Sequence, residues 1–256
     1  MKRFFTVILA FILVFLNCNN VFGANFVTKD YKILTKDNFS MVVTLQYPKI
    51  KEKKEFSTIV FLHSLGYNSE WWGNLPQELI NRGYAVLMID FRGHGKSVYN
   101  SRLVRTSWTS LKNKAYAKYP DDVVTVINYV KKENKRIFFD DWVMVGADIG
   151  ASTAILSANK FPNKPKTIVI LSPVVNSKGL YVPVKLAELE NVDILSVTGK
   201  NDFQSKKSDA YLKKFAQSTY SEYTSSSATT GMIMLKHDET LDDVICAWID
   251  EYIGGK

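Results

Sequence analysis

Trp142-Val-Met-Val-Gly-Ala-Asp-Ile-Gly-Ala-Ser152 is the stretch that decides the fold of this chain. Apolar residues 142–145 reach a Gly-x-Asp-x-Gly turn, and small residues at helical spacing follow from Ala151. The pattern predicts a buried strand, a sharp turn, and a helix that returns along the strand. Glycine suits positions 146 and 150 because the turn is cramped and the helix packs close to its strand. The side chain such a turn holds up is that of Asp148.

Four other segments take up positions around this turn. Residues 57–62 form an apolar run that ends in His63-Ser64-Leu65-Gly66. Gly83-Tyr-Ala-Val-Leu-Met-Ile-Asp90 reads as another strand, followed by Phe91-Arg-Gly-His-Gly-Lys-Ser97. Asp193-Ile-Leu-Ser-Val-Thr-Gly-Lys-Asn-Asp202 places an acid at the C-terminal tip of a further strand, where open α/β sheets carry their functional groups. Finally, Met232-Ile-Met-Leu-Lys236 reads as a short strand that leads through His237 into the last helix.

With those motifs in order, the chain resembles small, capless bacterial α/β-hydrolases of the dienelactone-hydrolase or serine-aminopeptidase-like type. The resemblance covers roughly residues 26 to 253 and rests on the elbow, the Asp-x-Arg-Gly-x-Gly-x-Ser turn at 90–97, Asp202 and His237. It extends to Leu171-Ser172-Pro173 and Lys178-Gly179-Leu180, similar to a subgroup whose elbow reads Gly-Ala-Ser-Ile-Gly-Ala. It implies an α/β-hydrolase fold, a mostly parallel sheet flanked by helices with no large cap domain. It also implies a small-molecule substrate of ester-like type and no cofactor. By the same resemblance Asp148 stands at the nucleophile position, His237 is the general base, and Asp202 orients it. The Ser64 and Ile149 amides would then form the oxyanion hole.

Two residues depart from that pattern. Asp148 replaces the nucleophilic serine, and Asp238 rather than glycine follows His237. Three roles stay open for Asp148: attack on an alkyl carbon to give an ester, orientation of a water, or the mark of a fold that kept its shape and lost its chemistry. A carboxylate is a poor nucleophile toward ordinary esters, because the product is an anhydride. The alternative function is therefore an inactive hydrolase homologue that binds a ligand, cationic or hydroxylated, in the old cleft. Enzymes of this fold with an aspartate nucleophile carry a helical cap between the strands here ending at 171 and starting near 193. Only about twenty residues separate those strands, too few for a helical domain. The connection 98–119 is read either as a small lid or as a surface loop.

Residues 1–24 read as a secretory signal peptide: Lys2 and Arg3, an apolar run at 4–16, then small residues at 23–24. Residues 25–256 are the α/β-hydrolase domain, exported to the periplasm or beyond. Two other readings remain, an uncleaved anchor and lipid attachment at Cys18, and membrane association is expected only in those cases. Cys246 is the remaining cysteine, so the mature chain has no internal disulfide and Cys246 reads as a small buried hydrophobe. The net charge of +8 comes from scattered lysines without a basic stripe of interleaved aromatics, which argues against nucleic-acid binding. The three histidines are isolated and no Cys-x-x-Cys occurs, so no metal site is expected. His63 and His94 read as loop-fixing, Asp90 and Arg92 as a turn-stabilising pair, and one of Trp71 and Trp72 as core.

Helices are expected at 68–82, from Pro120 with Val123, Val124, Ile127 and Val130 inward, at 150–161, and at 240–253. Residues 26–48 are expected to form an edge hairpin broken at 36–38.

Overall fold

The computed structural model describes residues 26–51 and 55–254, and its apolar runs are strands buried on both sides. The expected leader and Cys18 lie outside the described residues. β1 (Phe26–Leu34) and β2 (Phe39–Pro48) form the expected edge hairpin, followed by β3 (Phe56–Leu62), α1 (Leu75–Asn81) and β4 (Ala85–Ile89). Then come α2 (Tyr119–Glu133), β5 (Ile137–Ala147), α3 (Ile149–Ala158) and β6 (Thr167–Leu171). The chain closes with β7 (Asp193–Gly199), α4 (Phe203–Leu212), β8 (Tyr220–Ser225) and α5 (Leu241–Ile253).

These strands lie in the order β1-β2-β4-β3-β5-β6-β7-β8, with a two-residue strand at Tyr99–Asn100 added to β2. β2 pairs antiparallel with both β1 and β4, and the pairings from β4 to β8 are parallel. This is the α/β-hydrolase fold. Period-two alternation explains why the central strands lack a polar face. In β3, Val60 and Leu62 enter one core while Ile59 and Phe61 enter the other; β6 divides Ile168 and Ile170 from Val169 and Leu171. The first core is closed by Val123, Val126, Ile127 and Val130 of α2 and by Ala154 and Ile155 of α3. The second is closed by Leu75 and Leu79 of α1 and by Ile245 and Ile249 of α5. Between β6 and β7 the described chain makes only a tight hairpin (Asn176–Ser177 with Leu180–Tyr181) and a short helix at Pro183–Ala187, with no large cap.

Four local expectations are corrected. The helix expected at 68–82 is split, because Gly73 at φ +63 breaks it into a 3-10 turn at Ser69–Trp71 and α1. Val126 takes the buried place expected for Val124. β7 stops at Gly199, so Asp202 belongs to the turn that caps α4. Residues 231–237 are helical, a 3-10 turn at Gly231–Ile233 running into Met234–His237, where a strand was expected.

Candidate active site

The turn between β5 and α3 is the one the sequence pattern demands. Asp148 has φ 53° and ψ −113°, a left-handed backbone that a non-glycine residue adopts only when its surroundings enforce it. The enforcement is visible in its neighbours. The Asp148 amide donates to the Leu171 carbonyl of β6, and its carbonyl accepts from Ala151 and Ser152 of α3. A Cβ on Gly150 would lie 1.9 Å from the Leu62 carbonyl oxygen, and one on Gly146 would lie 2.4 Å from that of Gly150. Strand, turn and helix are therefore in backbone contact, and only glycine fits.

The Asp148 carboxylate is partly exposed, and its Oδ2 accepts a hydrogen bond from the Leu65 amide at 3.2 Å. Burial pushes its pKa up; the Leu65 and Ile149 amides and the Lys178 charge oppose this, and the Asp202 charge adds to it. Lys178 is exposed and sits at φ 52° in the tight hairpin after β6. The Ser64 amide, expected to face the cleft, donates instead to Met232 Sδ at 3.1 Å. Leu65 is thus the residue of the 63–66 loop whose amide meets the elbow. Gly231 lies beside it: its amide donates to Ser172 Oγ, and a Cβ there would come within 2.6 Å of Ser64 Oγ. The Gly231–Met232 turn fills the space next to the elbow. Neither Leu65 nor Met232 was singled out by the sequence; the only signal was a lone glycine in a serine- and threonine-rich loop.

Asp202 is buried, and its Oδ1 caps α4 by accepting from the Ser205 amide. Its Oδ2 is buried and has no hydrogen-bond partner among the described residues. His237, at the C-terminal end of its helical turn, is exposed and shares no hydrogen bond with Asp202 or Asp148 among those described. The structure therefore brings Asp148 and Asp202 within electrostatic range of each other and leaves His237 in solvent. What lies closest to the Asp202 turn from the β8 side is the 226–230 loop: the Ser227 carbonyl accepts from Lys200, and the Thr229 carbonyl packs on Gly199.

His63, His94, Asp90 and Arg92 are engaged in hydrogen bonds that fix the loops around the site. His63 Nε2 accepts from the Phe91 amide and its Nδ1 lies 2.8 Å from the Ser64 carbonyl, so the ring is neutral with hydrogen on Nδ1. Burial lowers its pKa to about 4 and that of His94 to about 3. His94 takes the Gly66 amide on Nε2 and stacks on Trp108. Asp90 and Arg92 both secure the turn, although not as a pair. Asp90 accepts from the Ser69 and Lys96 amides, while Arg92 is bidentate to Asp122 and also binds Asp37. Trp72 is core, and Trp71 lies exposed under the Lys236 ammonium.

Comparison with known proteins agrees with this architecture. The family model described as serine aminopeptidase, S33, matches residues 53–226. The chain belongs to that family. Comparison with the curated proteins gave no match. Among solved structures, this S33-family chain is similar to an esterase from Pyrococcus furiosus, at 16% identity and a TM-score of 0.68, covering 90% of this chain and 92% of that one. It is also similar to an esterase from Exiguobacterium antarcticum, at 13% identity and a TM-score of 0.65, covering 87% and 100%. A third likeness is to esterase B from Lactobacillus rhamnosis, at 12% identity and a TM-score of 0.59, covering 87% and 81%. At such identities these likenesses establish the fold alone.

Proposed function

We propose that this member of a hydrolase family holds a small molecule over Asp148 and does not cleave it by the serine-hydrolase route. One observation carries the reading: the amide that would receive a developing oxyanion is already occupied by the carboxylate of Asp148 itself, at 3.2 Å. A fixed negative charge in that position opposes a second one, so transition-state stabilisation of ester cleavage is lost. His237 is exposed and, like Oδ2 of Asp202, has no hydrogen-bond partner among the described residues; both point the same way, since a base must be oriented to work. What a partly exposed carboxylate does accept is an N–H or O–H donor, so the ligand class is an amine or a hydroxylated molecule. Turnover assays of wild type, Asp148→Ser and His237→Ala on ester substrates test this. We expect no turnover from any of the three, and ester turnover abolished by His237→Ala would overturn the reading.

A second reading has its own support. With Oδ2 held by the Leu65 amide, Oδ1 is the oxygen that would attack an alkyl carbon, forming an ester and releasing the leaving group. The strained elbow, retained without a serine, favours keeping this reading. Intact-mass measurement after incubation with haloalkanes decides it: an alkyl adduct lost in Asp148→Asn supports covalent chemistry, and an unmodified chain removes it.

We also propose that the chain is exported through its leader. Mass spectrometry of the protein from its host is expected to show an N-terminus near residue 24 or 25; lipid on Cys18 or an intact Met1 would overturn release.

A further inference from the structure

The connection after the 90–97 turn carries a hairpin that the fold does not need. Its tip is Arg102-Leu103-Val104-Arg105, with Leu103 72% and Val104 56% exposed. Such side chains normally sit in cores, and here two adjacent ones face water. The tip is built rather than loose. The Asn100 amide donates to the Val104 carbonyl, and the Leu103 amide donates to the Asn100 carbonyl. The Asn100 side chain accepts from the amides of both Arg102 and Val104. Leu103 is held at φ 60°, a conformation costly for a bulky residue, and the result is a leucine presented outward.

The hairpin is not a lid over Asp148. The Ser101 amide is tied to the Asn38 carbonyl of the β1–β2 turn, and Tyr99–Asn100 extends the sheet beside β2. Trp108, further along, is the residue that packs on Gly66 and His94.

Charge selects the occupant. Arg102 and Arg105 flank the two aliphatic side chains, both are exposed, and neither is ion-paired among the described residues. Tyr99, 41% exposed, stands at the base of the same hairpin, an amphipathic ring of the kind that sits at headgroup depth. The whole chain carries +8. We propose that this tip docks on an anionic lipid surface, with Leu103 and Val104 entering the acyl boundary and the two guanidiniums engaging phosphate.

The apolar leader can hold the full chain on vesicles by itself, so the readout must be local to the tip. Val104→Cys, made together with Cys18→Ser so that the label sits at the tip and Cys246 stays buried, carries an environment-sensitive fluorophore and is mixed with phosphatidylcholine vesicles, with and without phosphatidylglycerol. The expected result is a blue shift with phosphatidylglycerol that salt reverses, weakened about tenfold in apparent affinity by Arg102→Gln with Arg105→Gln. No shift, or an equal shift on both vesicle types, overturns the proposal. So does a shift without lipid that rises with protein concentration, since the tip would then bind a second copy.

Discussion

Asp148 is the residue at which fold and chemistry pull apart. Its positive φ is a strain that a nucleophile elbow stores, and a residue held in a sparsely populated backbone region costs on the order of 1–3 kcal/mol. Asp148→Gly is therefore expected to stabilise the chain by about that amount in urea unfolding. Asp148→Asn separates the charge from the strain. Burial raises the Asp148 pKa in the folded chain, so the unfolded chain gives up this proton first. The resulting penalty is absent below the unfolded pKa and full above the folded one. The stability gained by Asp148→Asn should accordingly grow as pH rises from acid to neutral. A gain that is flat with pH would mean the carboxylate is not disfavoured where it stands.

At the scale of elements, two contacts fix the site end of the sheet. The first is the meeting of β3 with α3, where Gly150 touches the backbone of Leu62. Gly150→Ala is expected to destabilise by about 3 kcal/mol, because the atom in the way is backbone and cannot rotate aside. The second is Arg92, which ties the turn after β4 to Asp122 at the start of α2 and to Asp37 between β1 and β2. Arg92→Met would leave Asp122 buried without its partner, a loss of about 3–5 kcal/mol. Arg92→Met combined with Asp122→Leu should recover most of it, and thermal melts of the three variants check both statements. If the single and double variants melt together, the pair is not what holds the turn.

For the whole molecule, acid is the expected weakness. His63 and His94 are buried, neutral and bonded to backbone on both ring nitrogens, with pKa values near 4 and 3 against an ordinary 6.5. The unfolded chain takes up their protons first, so stability is intact above pH 6.5 and falls as pH drops toward 4. Each histidine contributes on the order of 3 kcal/mol to that fall. Urea midpoints across this range should decline steeply, and proton NMR should show both rings still neutral well below pH 6.5. Titration of either ring at its ordinary value would contradict its burial.

Strand-helix alternation, the edge hairpin and the elbow at 146–150 were legible from the sequence by itself. Each depends on something local: period-two or helical spacing of apolar residues, and the steric need for glycine where backbones touch. The structural roles of His63 and His94 were also readable at this level, as was one core residue in the pair Trp71 and Trp72, but only the structure decided that it is Trp72. The partners of the site were decided only by tertiary structure. Leu65, not Ser64, meets Asp148 across 83 residues of chain, and a helical turn in place of a strand at 231–237 aims Met232 inward and leaves His237 in water. A strand sends successive side chains to opposite faces, while a helix turns each by about 100°, so one change of element redirects every side chain it carries. No spacing within a ten-residue window records which amide, sixty or eighty residues away, will stand opposite a given carboxylate.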